Sequence, residues 1–241
     1  MNFNTGFSGR STTLSRSPQA VAQEQGRFLV RVYNWMTSGL LLTGGIAYWA
    51  SNTPAFMEMI FRNPFLFYGL IIGELALVFT LAGRVMKMKV KTASLVFWGY
   101  SALNGLTFSI IFLMYTSSSI VSTFLVTAGT FGAMSFYGAT TKKDLTSWGS
   151  FLIMGLVGII IASLVNFFFH SSMIYWVVTY AGILIFVGLT AYDTQKILEM
   201  NILGNEGTDE DTKEAIRGAL TLYLDFINLF LMLLRLLGNR R

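Results

Sequence analysis

The chain has 241 residues, 54% of them hydrophobic and only 12% charged, against about 25% charged in a soluble domain, so it reads as an all-α integral membrane protein. Cys is absent and His occurs once, which excludes disulfides, a thiolate metal site, a cysteine nucleophile and a multi-histidine metal centre. The net charge of +5 comes from loop lysines and arginines and is a topology signal, with no nucleic-acid partner implied.

Residues 1–26 are polar, rich in Ser, Thr, Gln and Gly, with no apolar core before Phe28. No cleavable signal peptide is visible there, and the segment reads as a disordered cytoplasmic tail before a membrane domain at 27–238. A membrane helix needs about 20 mostly apolar residues. Seven stretches qualify: 28–49, 64–83, 92–115, 118–139, 147–169, 173–197 and 216–237. No proline falls in their interior, Pro64 standing at the first position of the second, so each is expected to be a continuous helix that satisfies its own backbone in lipid.

Loop charge predicts the orientation. Arg10, Arg16, Arg27 and Arg31 precede the first span. Arg84, Lys87, Lys89 and Lys91 follow the second, Lys142 and Lys143 the fourth, and Lys196, Lys213 and Arg217 surround the sixth loop. The alternate loops carry only Arg62, so the positive-inside rule predicts a cytoplasmic N-terminus. Seven spans then place Arg235, Arg240 and Arg241 outside, against the rule. Either the tail is pulled across or the last segment does not fully cross; its length favours full crossing.

The second span carries Glu74 near its middle and Arg84 at its cytoplasmic end. A mid-span carboxylate is costly, so Glu74 marks an ion or proton path or a buried structural hydrogen bond. Arg84 is an interfacial anchor or the partner of an ionised aspartate. Small residues crowd the third and fourth spans (Gly99, Gly105, Ser122, Gly129, Gly132, Ser135 and Gly138) and predict close helix packing. Asn104 and Thr107 are expected to hydrogen-bond between helices, and His170 to sit at the outer boundary. The sixth loop holds Glu206, Asp209, Glu210, Asp211 and Glu214 without the spacing of an EF-hand. With Thr208 as N-cap and Asp211 three residues on, it reads as a solvated cap of the last helix.

Two aspartates stand in strongly apolar stretches, Asp193 in GLTAYDTQKI and Asp225 in LTLYLDFINLF. Each costs several kcal/mol in lipid unless paired, protonated or hydrated. Both fall in the cytoplasmic half, so neighbouring helices can bring them together. Asp193 could instead pair with Lys196 on its own helix surface. On the last span Asp225, Asn228, Met232 and Arg235 form one stripe, which should face the protein interior or a water-filled path. Two adjacent carboxylates can hold one proton between them or bind a hard divalent cation, with the two ligands competing.

At these residues the chain resembles the Bax inhibitor-1 family, also called the transmembrane Bax inhibitor motif family. The resemblance rests on AYDTQKI around Asp193 and LYLDFINLFLMLLRLLG around Asp225, with GLTFSIIF and KKDL in support. It implies seven transmembrane helices, the seventh central and surrounded by the other six. It implies a pH-sensitive calcium leak, with Asp193 and Asp225 as pH sensor, gate and calcium ligands. It further implies Arg84 as the latch on that pair and Glu74 on the calcium path. No cofactor is implied beyond calcium as the transported ion, and the partners are membrane lipid, calcium ions and protons. A bacterial member of the inner membrane is expected, and such members are also linked to a membrane-bound AAA protease as its inhibitors.

Two other functions compete. A regulator of membrane-protein turnover needs only a docking surface, such as the tail or the acidic loop. An intramembrane aspartyl protease would use paired aspartates for acid–base hydrolysis, and Tyr192–Asp193 fits that. Asp225, however, has Leu224 and Phe226 beside it and no glycine for close substrate approach, so a non-enzyme is expected.

Overall fold

The computed structural model describes residues 17–241. They form α1 (Pro18–Ser51), α2 (Pro54–Arg62), α3 (Pro64–Arg84), α4 (Val90–Met114), α5 (Ser117–Thr140), α6 (Thr146–Phe169), α7 (Ser172–Met200) and α8 (Asp209–Leu237). No strand occurs among the described residues, apart from an isolated bridge between Tyr115 and Arg240. Pro18, Pro54 and Pro64 each open a helix, where the missing N–H would have had no partner anyway. Ser17, Thr116, Ser171 and Thr208 cap α1, α5, α7 and α8 with their side-chain oxygens. His170 ends α6 in the left-handed region at φ 50° and is exposed, as the boundary position predicts.

Each expected span lies within one helix, save that Tyr115 of the third falls one residue past the end of α4. Six of them, α3 to α8, are long and apolar enough to cross a membrane. Helix α1 covers the first expected span, but Arg31, Asn34, Thr37, Ser38 and Thr43 interrupt its apolar residues, and it is not among the six. Helix α2 was not anticipated. It is a short amphipathic helix of 9 residues, about two and a half turns, that buries Met57 and Ile60. Of the expected tail, residues 1–16 lie outside the described residues, while α1 already begins at Pro18.

Helix α8 is the most buried of the six. It packs against α1, α4, α5 and α7. Leu222, Tyr223 and Leu229 are fully buried. Tyr223 packs edge-on to Phe97 and Tyr100, and its hydroxyl donates to Thr43 Oγ1 at 2.7 Å, which in turn donates to the carbonyl of Ser101 at 2.8 Å. A buried hydroxyl so satisfied avoids a desolvation cost of about 1–3 kcal/mol. The outward faces of α3 and α6 present large apolar side chains such as Phe65, Phe79, Met154 and Phe168, the pattern of a lipid-facing surface.

Small residues do close-pack helices, though not all of them. A Cβ at Gly105 would strike Ile46 and the backbone of Thr43 on α1, and one at Gly138 would strike the backbone of Ala191 on α7. Gly129 and Gly132 have open space instead. Gly132 lines an apolar groove of about 750 Å³ between α1 and α5.

The two ends of the bundle are separately tied. At one end Lys213 Nζ reaches the carbonyl of Met86 at 3.3 Å, and Gln195 bridges to Leu145 N and the carbonyl of Lys143, each at 2.9 Å. At the same end the start of α1 is clasped to the α7–α8 loop. Arg27 grips Glu206 with two bonds of 2.9 Å, Arg31 reaches Glu206 at 3.1 Å and Asp211 at 2.9 Å, and the backbone N–H of Gly204 donates to Glu24. Asp211 is therefore not a solvated cap residue: it is buried, its second oxygen taken by the N–H of Gly207. At the other end residues 239–241 run back along the α4–α5 turn, with Thr116 N bonded to the carbonyl of Asn239 and Arg241 N to that of Met114. Helix α8 thus runs the full length of the bundle.

The hydrogen bond from Arg27 holds the Glu206 carboxyl below the usual carboxylate range. A depressed pKa stabilises the clasp above the unfolded value, near 4.3, and the effect is lost as pH falls through the lower folded value. Amide exchange of the 202–208 loop, normalised to intrinsic rates, is expected to stay protected from pH 8 to about 5 and to rise severalfold below about 4. Arg27→Gln should give the faster exchange already at neutral pH. Unchanged protection in that variant would show that the clasp does not order the loop.

Candidate carboxylate pair

Helices α7 and α8 pack side by side and bring Asp193 and Asp225 together. Asp193 lies in the last turns of α7 and Asp225 near the middle of α8. The two carboxyl groups are within hydrogen-bonding reach of each other. No N–H or O–H among the described residues donates to either, and the buried Oδ2 of Asp225 has no partner. Asp225 is only 4% exposed. Two facing carboxylates without donors can stay together only by sharing a proton, holding a cation or admitting water. Among the described residues no third His, Cys, Asp or Glu joins them into a metal cluster. Calcium takes six to eight oxygens, so a cation here would keep much of its water.

The pair opens on a groove of about 680 Å³, because α6 packs on α7 and stands off from α8. Thr221, Asn228 and Met232 line it from α8, and Ser163 from α6. Asn228 and Met232 of the expected stripe thus share one groove with Asp225, whose remaining walls, Ile153, Leu156, Ile160 and Leu164 among them, are apolar. Asn228, which lines the groove, donates its amide N–H to the carbonyl of Leu224 at 2.8 Å. Arg235 stands at the far end of the stripe, over the ring of Tyr175 at 5.8 Å, and does not reach the pair.

The remaining candidates lie elsewhere. Lys196 pairs with Glu199 at 3.6 Å, so the surface pairing with Asp193 is not made. Glu74 is half-buried and accepts a hydrogen bond from Thr107 of α4, which confirms Thr107 as an interhelical donor and places Glu74 on the α3–α4 side. Asn104 instead donates to Tyr100 of its own helix at 3.0 Å. Arg84 is a correction. It is exposed at the end of α3 and forms no ion pair with either aspartate, and α3 touches α8 only marginally.

A profile described as "Inhibitor of apoptosis-promoting Bax1" matches residues 25–241. The chain belongs to the Bax inhibitor-1 family. Among its relatives is the inner membrane protein YbhL of Escherichia coli, 54% identical over 215 residues that cover 89% of this chain and 92% of the relative. An uncharacterized protein of Borreliella burgdorferi is 48% identical over 217 residues, covering 90% of this chain and 94% of the other. One from Caulobacter vibrioides is 37% identical over 249 residues, covering 100% and 99%. This member of the family is an integral membrane protein with the paired aspartates in its two most C-terminal helices.

Sequence reasoning missed a hydroxyl chain beside the pair. Thr194 donates to the carbonyl of Thr190 at 2.7 Å, so it must accept from Ser135, 2.7 Å away, which in turn accepts from the hydroxyl of Tyr33. Three helices, α1, α5 and α7, are thereby joined one residue from Asp193. Single serines and threonines in spans carry no signal of which helix they will meet. Gly149 was also passed over: a Cβ there would strike the Tyr192 ring, so this glycine seats α6 against the residue before Asp193.

Proposed function

We propose that this Bax inhibitor-1 protein is a pH-sensitive calcium leak, with Asp193 and Asp225 as its proton and cation site. The observation that carries the proposal is the facing carboxyl pair with no donor and no cation of the protein's own to neutralise it. Such a site is neutralised by what the solution supplies. Protons and calcium compete for the same oxygens, so acidification weakens calcium binding. With few fixed ligands, the site holds calcium briefly and lets it leave, which suits conduction better than storage.

The groove, with Thr221, Asn228 and Ser163, is the aqueous route on one side of the pair. Glu74, bonded to Thr107, stands on a second route between α3 and α4. In this reading α1 is the first of seven crossing helices, and α8 is the central one. The basic end of the bundle, with the N-terminus, faces the cytoplasm by the positive-inside rule, and the membrane is the bacterial inner membrane. In this reading the pair acts by binding and release and not as a peptide hydrolase, since Asp225 stands between Leu224 and Phe226 with no glycine to favour close approach of a substrate backbone.

The test is calcium entry into liposomes containing only this protein. The expected result is flux above empty liposomes that varies between pH 5 and 8. Flux equal to that of empty liposomes across that range would remove the proposal.

A further inference from the structure

Arg235, Arg240 and Arg241 sit at the end of the bundle opposite the lysine-rich loops, where the positive-inside rule leaves them unexplained. Two of the three are not loose in solvent. Arg240 donates to the Tyr175 hydroxyl at 3.2 Å and lies over the Tyr115 ring at 5.9 Å, fixed there by the backbone bridge of the tail to the α4–α5 turn. Arg235 stacks over the Tyr175 ring at 5.8 Å, and its other contact is a 3.8 Å approach to Met232 sulfur. Among the described residues neither arginine has a carboxylate partner.

Arg235 and Arg240 both line a cavity of about 460 Å³, with Asn166, Ser163, Tyr115 and Tyr175 the further side chains that carry a polar atom and no acidic group. Asn166 uses its oxygen on Ser171 N at 2.8 Å, so its amide N–H₂ remains a donor. The other walls are apolar, formed by Ile111, Phe167, Val178 and Leu231. Two cations and an amide donor above a hydrocarbon-lined slot, at the membrane boundary, make a composite of headgroup and acyl-chain chemistry. Guanidinium forks suit phosphate oxygens in particular.

We infer that this cavity is a binding site for an anionic phospholipid, its phosphate held by Arg235 and Arg240 and one acyl chain lying along Phe167 and Leu231. A free phosphate would use only the arginines and leave the apolar wall bare. The lipid accounts for both, and for arginines kept on the side that topology disfavours. The site shares Ser163 and Phe167 with the groove of the aspartate pair, and Arg235 is the far end of the stripe that carries Asp225, but neither aspartate lines it.

The experiment compares thermal unfolding and native mass spectra of the full chain in neutral detergent with added dioleoylphosphatidylglycerol, dioleoylphosphatidylcholine or glycerol 3-phosphate. Phosphatidylglycerol is expected to raise Tm and to remain bound, and the other two additives to do neither. The variant R235Q/R240Q should bind phosphatidylglycerol at least about tenfold more weakly, the loss of one charge-assisted contact or more. K142Q/K143Q, at the opposite end, should bind it as the parent does. Should the double variant not fold, R240Q alone, changed only in the tail beyond α8, gives the same reading. The inference is overturned if phosphatidylcholine binds as well, if glycerol 3-phosphate reproduces the full shift, or if the lysine variant loses binding equally.

Discussion

Asp225→Asn is expected to lower calcium flux and to change its pH profile while leaving the fold intact. Asn matches the volume of Asp and keeps one oxygen, so the groove and the α7–α8 packing persist. What disappears is the negative charge and the shared proton. At an effective dielectric of about 20, two unit charges about 4 Å apart interact by about 4 kcal/mol. Desolvation takes back much of this, so a tenfold drop in flux at neutral pH is the conservative expectation. The flux that remains should follow the single titration of Asp193 in place of the two coupled steps of the pair. Thermal stability should stay equal or rise, because an unpartnered buried carboxylate is removed. The measurement is liposome flux across pH, beside Tm of the same preparation. A variant that folds with the parent's flux and pH profile would detach gating from Asp225.

Gly138→Ala should be the most damaging single methyl in the protein. Helix α5 crosses α7 here with backbone against backbone, and the new Cβ would meet the carbonyl of Ala191. A carbonyl cannot rotate away as a side chain can, so the two helices must separate. Overpacking of this kind costs about 1–3 kcal/mol. The separation also pulls on the Ser135–Thr194 bond and shifts Asp193, two residues from Ala191. Lower Tm and altered flux should therefore appear together. Gly132→Ala, in open space on the same helix, serves as the control and should change neither. Equal Tm for the two variants would mean that the α5–α7 contact is looser than the structure has it.

Helix positions were legible because membrane length and lipid chemistry act locally. Twenty apolar residues without proline have one option, and the expected and observed limits differ by a few residues for α3 to α7. The last helix starts seven residues earlier than its apolar segment, at Asp209, because Thr208 caps it and acidic residues suit its first turn. Helix α1 begins earlier for a different reason: the clasp of Arg27 and Arg31 on the acidic loop anchors a polar segment that composition alone leaves without structure.

The site divides in the same way. Asp193 and Asp225 could be picked out singly, since an aspartate amid leucine and phenylalanine is costly wherever it lies. The stripe through Asn228, Met232 and Arg235 followed from helical spacing. By itself, then, the sequence determined the membrane class, the helices, the family and the two carboxylates, all of which depend on residues near one another in the chain. Only the tertiary structure decided that the carboxylates face each other without donors, that α6 stands off to open a groove, that Arg84 is not their partner, and that the last arginines close on an aromatic cavity. Each of those depends on which helices adjoin and at what angle, and that is set by contacts such as Gly138 on Ala191, between residues far apart in the chain.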